Sequence, residues 1–219
     1  MDVLLTVEGL FTGTPSPLPG AGRGVLSAIA KRRVAATEAH LGWTRLDGDR
    51  QADMVSHGGP DKAVYMYPSG NYDYWRSLGY DLAPGGVGEN APVTGQDEHD
   101  VRIGDVWEWG EARVQVSQPR SPCSKLAAHT GRKEITRHMI ESGRTGWYLR
   151  VLQPGFVPVE GVLRLLSRDR SAPTVHELFS ASYARDDDPG GLREMVDTPA
   201  LAEQWRLSVQ GRLARAVYR

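Results

Sequence analysis

The 219-residue chain carries 26 basic and 27 acidic residues, a net charge of −1, which argues against a nucleic-acid groove or an anionic membrane as its main partner. Its one cysteine excludes an internal disulfide framework and any CxxC motif for zinc or dithiol chemistry. With 25 glycines and 14 prolines the chain suits a strand-rich fold with many turns, long enough for one sizeable domain and a small accessory unit.

Val3 to Glu8 reads as a first strand, and the apolar run there is too short for a signal-peptide core or a membrane span. A soluble, cytoplasmic protein is the expectation. The Gly/Pro-rich run from Gly13 to Gly24 predicts a loop, and the apolar segment Val25 to Val34 that follows brings in Lys31-Arg32-Arg33. Three adjacent cations read most simply as a solvated strand end, with one of them free to face an anionic ligand.

His57-Gly58-Gly59-Pro60-Asp61-Lys62 packs an imidazole, a carboxylate and an ammonium around paired glycines, ahead of a β-rich run. Glycine pairs permit positive φ and close approach of a ligand to the backbone; a polar hairpin connection is the plainer reading. Asn71 to Trp75 predicts a short amphipathic helix. The loop Pro84-Gly85-Gly86-Val87-Gly88-Glu89-Asn90 has neither dinucleotide-binding nor P-loop spacing, but Glu89 and Asn90 offer an acceptor and donor pair for a heterocycle edge; a turn capped by Asn is the plainer reading.

Val101 to Asp105 and Val106 to Glu111 alternate apolar and polar residues, as do Ala112 to Ser117, and Gly110-Glu111 predicts the hairpin between the last two. Pro119 and Pro122 end that strand at Gln118-Pro119-Arg120-Ser121-Pro122-Cys123-Ser124-Lys125. Ser121 followed by Pro122 predicts an N-cap and first helical position, which sets Cys123 in the first turn, where backbone N–H groups, Arg120 and Lys125 favour the thiolate. A thiolate is both a nucleophile and a soft metal ligand; an inert, buried cysteine is the plain alternative.

Glu134 to Glu141 predicts a helix stopped by Gly143, and Trp147 to Leu152 and Val162 to Ser167 supply two more strands. The many short strands over the first ~170 residues favour a closed β-barrel with peripheral helices. Residues 1–170 form this domain in the reading, and residues 171–219 a small helical one after the linker Arg168 to Pro173. Thr174 caps its first helix, Asp186 to Gly191 interrupts the helical pattern, and Thr198-Pro199 starts another helix.

Taken together, His57 to Val64, Gly88-Glu89-Asn90 and Gln118 to Lys125, with Ser27 to Lys31, Gly48 to Asp53 and the helical tail, resemble the MOSC family, closest to its YiiM branch of 6-N-hydroxylaminopurine resistance proteins. The resemblance spans nearly the whole chain. It implies a β-barrel followed by a three-helix domain, and a molybdenum cofactor whose metal Cys123 ligates. It implies reduction of N-hydroxylated bases and related compounds to amines, a detoxification, with electrons from a separate reductase. A pyridoxal phosphate-binding label also attaches to the family, and a homodimer is a further expectation. By the chemistry of such a site, Arg120, Lys31 and Lys62 would hold the pterin phosphate, with Ser121, Gly58 and Gly59 beside it; Glu89 and Asn90 would read the pterin edge. His57 or Asp61 would donate the proton that leaves with the N–O oxygen as water. The alternatives are a cysteine hydrolase or transferase with His57 as base, and a non-catalytic carrier of the cofactor or of a sulfur species on Cys123. Two residues depart from the pattern: Val87 stands where relatives often carry Phe, and Asn71 where many have His.

Overall fold

The computed structural model describes residues 3–53 and 58–217; His57 lies outside them. Seven strands form a closed barrel: β1 Leu4–Val7, β2 Val64–Pro68, β3 Ala91–Thr94, β4 Val106–Trp109, β5 Ala112–Pro119, β6 Trp147–Gln153 and β7 Gly161–Ser167. Neighbours run β1-β7-β4-β5-β6-β2-β3, and the ring closes where Thr6 pairs with Thr94 and Val7 with Val93. Every pairing is antiparallel except β2 with β3, whose crossover carries helix α1, Asn71–Ser77.

Period-two alternation sorts the barrel's side chains into two cores. Val64, Met66, Val114, Val116, Trp147 and Leu149 point inward into one apolar cluster. Tyr65 and Tyr67, their β2 neighbours, point outward into a second cluster built with α1, α2 (Ser124–Thr130) and α3 (Glu134–Ser142). The outer wall of β2 and β6 is therefore aromatic and helix-covered. Gly146 makes the approach to β6 possible: it takes φ 63°, and an added Cβ would collide with the Met66 carbonyl.

Three two-stranded ladders line the barrel's flank: Phe11–Thr12 with Arg32–Arg33, Ser16–Pro17 with Leu26–Ser27, and Glu38–Leu41 with Gly155–Pro158. The run expected to be a plain loop from Gly13 to Gly24 thus contributes half of one ladder. Pairs of two residues are too short for alternation to register.

The predicted cap at Ser121 is corrected. β5 continues to Pro119, paired with Trp147, because that end lies beyond its pairing with β4, where a missing N–H is tolerated. Arg120 N–H then donates to the Gly146 carbonyl at 3.3 Å, and the Thr145 hydroxyl donates to the Arg120 carbonyl. Held this way, the chain stays extended through Cys123 (φ −138°, ψ 156°), which is the N-cap of α2 in place of a first-turn residue.

The tail holds α4 (Val175–Tyr183), α5 (Pro189–Val196) and α6 (Glu203–Val217). Thr174 and Glu177 form a reciprocal capping box, as the sequence suggests. The second cap belongs to Asp188 with Pro189 behind it, inside the segment expected to interrupt the helices. Thr198-Pro199 starts nothing: the Thr198 hydroxyl donates back to the Glu194 carbonyl at 3.2 Å, closing α5, and α6 begins at Glu203. Val175, Leu178, Phe179, Leu192, Trp205 and Val209 join the same apolar cluster as the barrel interior. No described helix is long and apolar enough to cross a membrane.

Candidate functional site

A cleft of about 600 Å³, open to solvent, lies on the outer wall of β2 and β6. Lys31, Arg50, Lys62, Arg120 and Lys125 line it, against Asp49 as the lining carboxylate, and Cys123 supplies a thiol. Among the described residues, five cations against one carboxylate make the cleft electropositive.

The cations are not equivalent. Lys31 is almost fully buried and its Nζ donates to Asp49 Oδ1 at 2.5 Å. Burial lowers its pKa, and Asp49 opposes that shift. Asp49 also accepts from Gly13 N at 2.8 Å, Asn90 Nδ2 at 3.0 Å and Gln51 Nε2 at 3.2 Å, so it ties three loops together. Lys31 therefore sits in the cleft with its charge balanced.

Arg120 does not. It is 5 % exposed, and among the described residues it has no carboxylate within ion-pair distance. Its Nη2 donates to Cys123 Sγ at 3.6 Å, its Nη1 to Met139 Sδ at 3.3 Å, and the guanidinium sits 5.7 Å from the Tyr65 ring centroid. Burial opposes its charge, but Tyr65, Cys123 and Tyr148 outweigh burial and the pKa is raised. A buried cation held beside a thiol, with no carboxylate to neutralise it, is configured for an anion from outside.

Lys62 lines the cleft from the short 3₁₀ turn Pro60–Lys62, entered through Gly59 at φ 101°. Its Nζ donates to Oε1 of Gln204, on α6, at 2.5 Å. Burial lowers its pKa, against Asp53 and Asp61, so it gives up its proton more readily than a free lysine.

Several residues singled out in the sequence fall elsewhere. Glu89 is fully buried behind the cleft, where its carboxylate accepts from the Tyr72 hydroxyl, from Gly85 N at 2.5 Å and from Val87 N at 3.2 Å. It does not line the cleft. Asn90 lines the cleft, but its amide bonds Tyr65 N, the Phe11 carbonyl and Asp49. Asp61 accepts from Arg150 Nε at 2.7 Å, and Arg150 Nη1 donates to the Ala200 carbonyl at 2.8 Å, so this carboxylate anchors the tail and does not face the thiol. Gly58 and Gly59 shape the approach to Lys62 without lining the cleft, and Ser121 is exposed on the tail side of the cysteine loop.

Sequence reading passed over Asp49 as the hub and Tyr148 as a wall. Tyr148 alternates outward from Trp147 and Leu149 on β6, and its ring lies 5.2 Å from that of Tyr65. Burial pushes its hydroxyl up to about 12, against the pull of Arg120, so it keeps its proton at neutral pH. The alternation that marked β6 as a strand already put Tyr148 on the face opposite the barrel interior.

Fold and cleft define a β-barrel protein with a cation-lined, thiol-bearing cleft on its outer wall. Residues 53–164 match the family described as MOSC domain, and residues 173–216 the family described as YiiM-like, 3-alpha helix domain. The chain belongs to the MOSC family, in its YiiM-like branch. YiiM of Escherichia coli K12 is 36 % identical over 208 residues, covering 93 % of this chain and 90 % of that protein. The crystal structure of YiiM from Geobacillus stearothermophilus superposes with TM-score 0.81 at 32 % identity, over 95 % of this chain and 99 % of that one. A Gibberella moniliformis protein named Reductase is 33 % identical over 214 residues, 89 % of this chain but 37 % of that protein.

Proposed function

We propose that this protein is a molybdenum cofactor-dependent reductase of N-hydroxylated bases and related N-hydroxy compounds, working in the cytoplasm with electrons from a separate reductase. The observation that carries the reading is the pairing of Arg120, a buried cation with no carboxylate partner among the described residues, with the Cys123 thiol 3.6 Å away. A thiolate suits a soft, high-valent metal, and a buried guanidinium suits a phosphate or another anionic group. The family membership and the reductase name of a longer relative point the same way.

Cys123 would ligate the metal. Arg120, Lys62 and Lys125 would hold the cofactor's anionic groups, while Lys31, balanced by Asp49, would position the loop between them. When bound, the cofactor supplies two-electron redox chemistry at the metal. In the reaction the N–O bond breaks, two electrons and two protons are taken up, and the amine and one water leave. Tyr148 holds its proton on the cleft wall beside Arg120, where its hydroxyl would donate a hydrogen bond to the departing oxygen. Asp61 is not assigned that role, since it faces Arg150.

Protein loaded with cofactor and given a reduced viologen dye should convert 6-N-hydroxylaminopurine to adenine, and Cys123→Ala should not. Protein that carries molybdenum in full yet forms no adenine would overturn the reading.

A further inference from the structure

A second cavity, about 510 Å³ and open to solvent, lies between the cysteine loop and the tail. Its walls are Ser121, Ser182, Tyr183, Gln204, Trp205 and Ser208, with no charged side chain among them. That composition is the opposite of the cation-lined cleft, and one side-chain contact links the linings of the two spaces. Gln204 lines this cavity while its Oε1 accepts from Lys62, which lines the cleft. Ser121 lines it two residues before Cys123, so their Cα atoms stand within about 8 Å by chain geometry alone. Ser121 and Tyr183 line it from the two sides of the boundary between barrel and tail.

We infer that this neutral cavity is the subsite for the heteroaromatic part of the substrate, and that the three-helix tail thereby completes the site. The inference rests on the reductase reading for what the ligand is. The cavity's chemistry supports it independently. Hydroxyls and an amide satisfy the mixed donors and acceptors of an uncharged base, and the exposed Tyr183 ring, in a wall it shares with the buried Trp205, offers a flat apolar surface for its ring. An anion would find no cation here and would go to the cleft; a neutral base would find no reason to displace one. Cofactor and substrate are sorted by charge into adjacent spaces, and the Lys62–Gln204 contact marks their boundary.

The test uses the full chain. Binding of 6-N-hydroxylaminopurine is measured by equilibrium dialysis on wild type, on Ser208→Trp, which fills the cavity, and on Ser208→Leu, a smaller filling change in case the tryptophan disturbs folding. Molybdenum content is measured on the same samples. The expected result is at least about tenfold weaker base binding in both variants, the scale of one lost base stack, with molybdenum content unchanged. Base binding equal to wild type in both variants would overturn the subsite. The two proposals fail separately. Weakened base binding in a protein that takes no molybdenum would keep the subsite and sink the reductase reading. Full molybdenum and turnover, with base binding and KM unchanged in the variants, would do the reverse.

Discussion

The Gly88-Glu89-Asn90 loop and the Arg120 to Cys123 loop are equally polar in sequence, and both end up packed against the outer wall of the barrel. In the first, every carboxylate and amide contact runs inward: Glu89 collects the Tyr72 hydroxyl and two backbone N–H groups, and Asn90 bridges Tyr65, Phe11 and Asp49. In the second, a buried guanidinium meets sulfur atoms and aromatic rings but no carboxylate. A polar residue satisfied by its own chain builds scaffold. A buried charge without a counter-ion among the described residues is the feature on which the proposed anion site rests.

Breaking the scaffold loop should cost folding and little else. Glu89→Ala orphans three donors at roughly 1–3 kcal/mol each, so denaturant unfolding should show a loss of about 4 kcal/mol. A loss below about 1 kcal/mol would mean that the loop is not held through this carboxylate.

Glu98, another buried carboxylate of the scaffold, bonds Asn71 Nδ2 at 2.9 Å and Gly146 N at 2.8 Å, and burial pushes its pKa up to about 7. Between 4.5 and 7 the folded chain keeps a proton that the unfolded chain has released. The stability Glu98 contributes is therefore complete below 4.5 and is lost as pH rises through 7, a fall of about 3 kcal/mol at 1.36 kcal/mol per unit. Thermal unfolding across that range should show the fall in wild type and not in Glu98→Gln.

The opposite result is expected at the ligand loop. Arg120→Met should weaken inorganic phosphate binding in calorimetry by at least about tenfold while leaving stability within about 1 kcal/mol, because an unneutralised buried charge contributes little to folding. A large stability loss with phosphate binding intact would reverse the assignment of the two loops. The smallest effect belongs to the tail, where Thr174→Ala should remove one capping box and cost about 1 kcal/mol in Tm-derived stability.

The barrel was legible because its strands obey alternation: Trp147 and Leu149 inward, Tyr148 and Arg150 outward, is written in residue type. The two-residue ladders were not, since two residues carry no period. Serine or threonine before proline misled at Ser121 and Thr198, where long-range contacts, β5 pairing at one and a back-bond to Glu194 at the other, fixed the backbone first. At the site, residue type announced Cys123, Arg120, Lys31 and Lys62. What it could not show is satisfaction: whether Lys31 meets Asp49, Asp61 meets Arg150, or Glu89 turns inward depends on residues 18, 89 and as few as two to four positions away.

The most direct test of the account is molybdenum content by elemental mass spectrometry, with pterin assayed alongside, on wild type and Cys123→Ala expressed in a host that makes the cofactor. Near-stoichiometric metal in wild type, lost in the variant, is the predicted result. Equal metal in both, or none in wild type after reconstitution with fresh cofactor, would contradict the claim that the Arg120–Cys123 cleft is a molybdenum cofactor site.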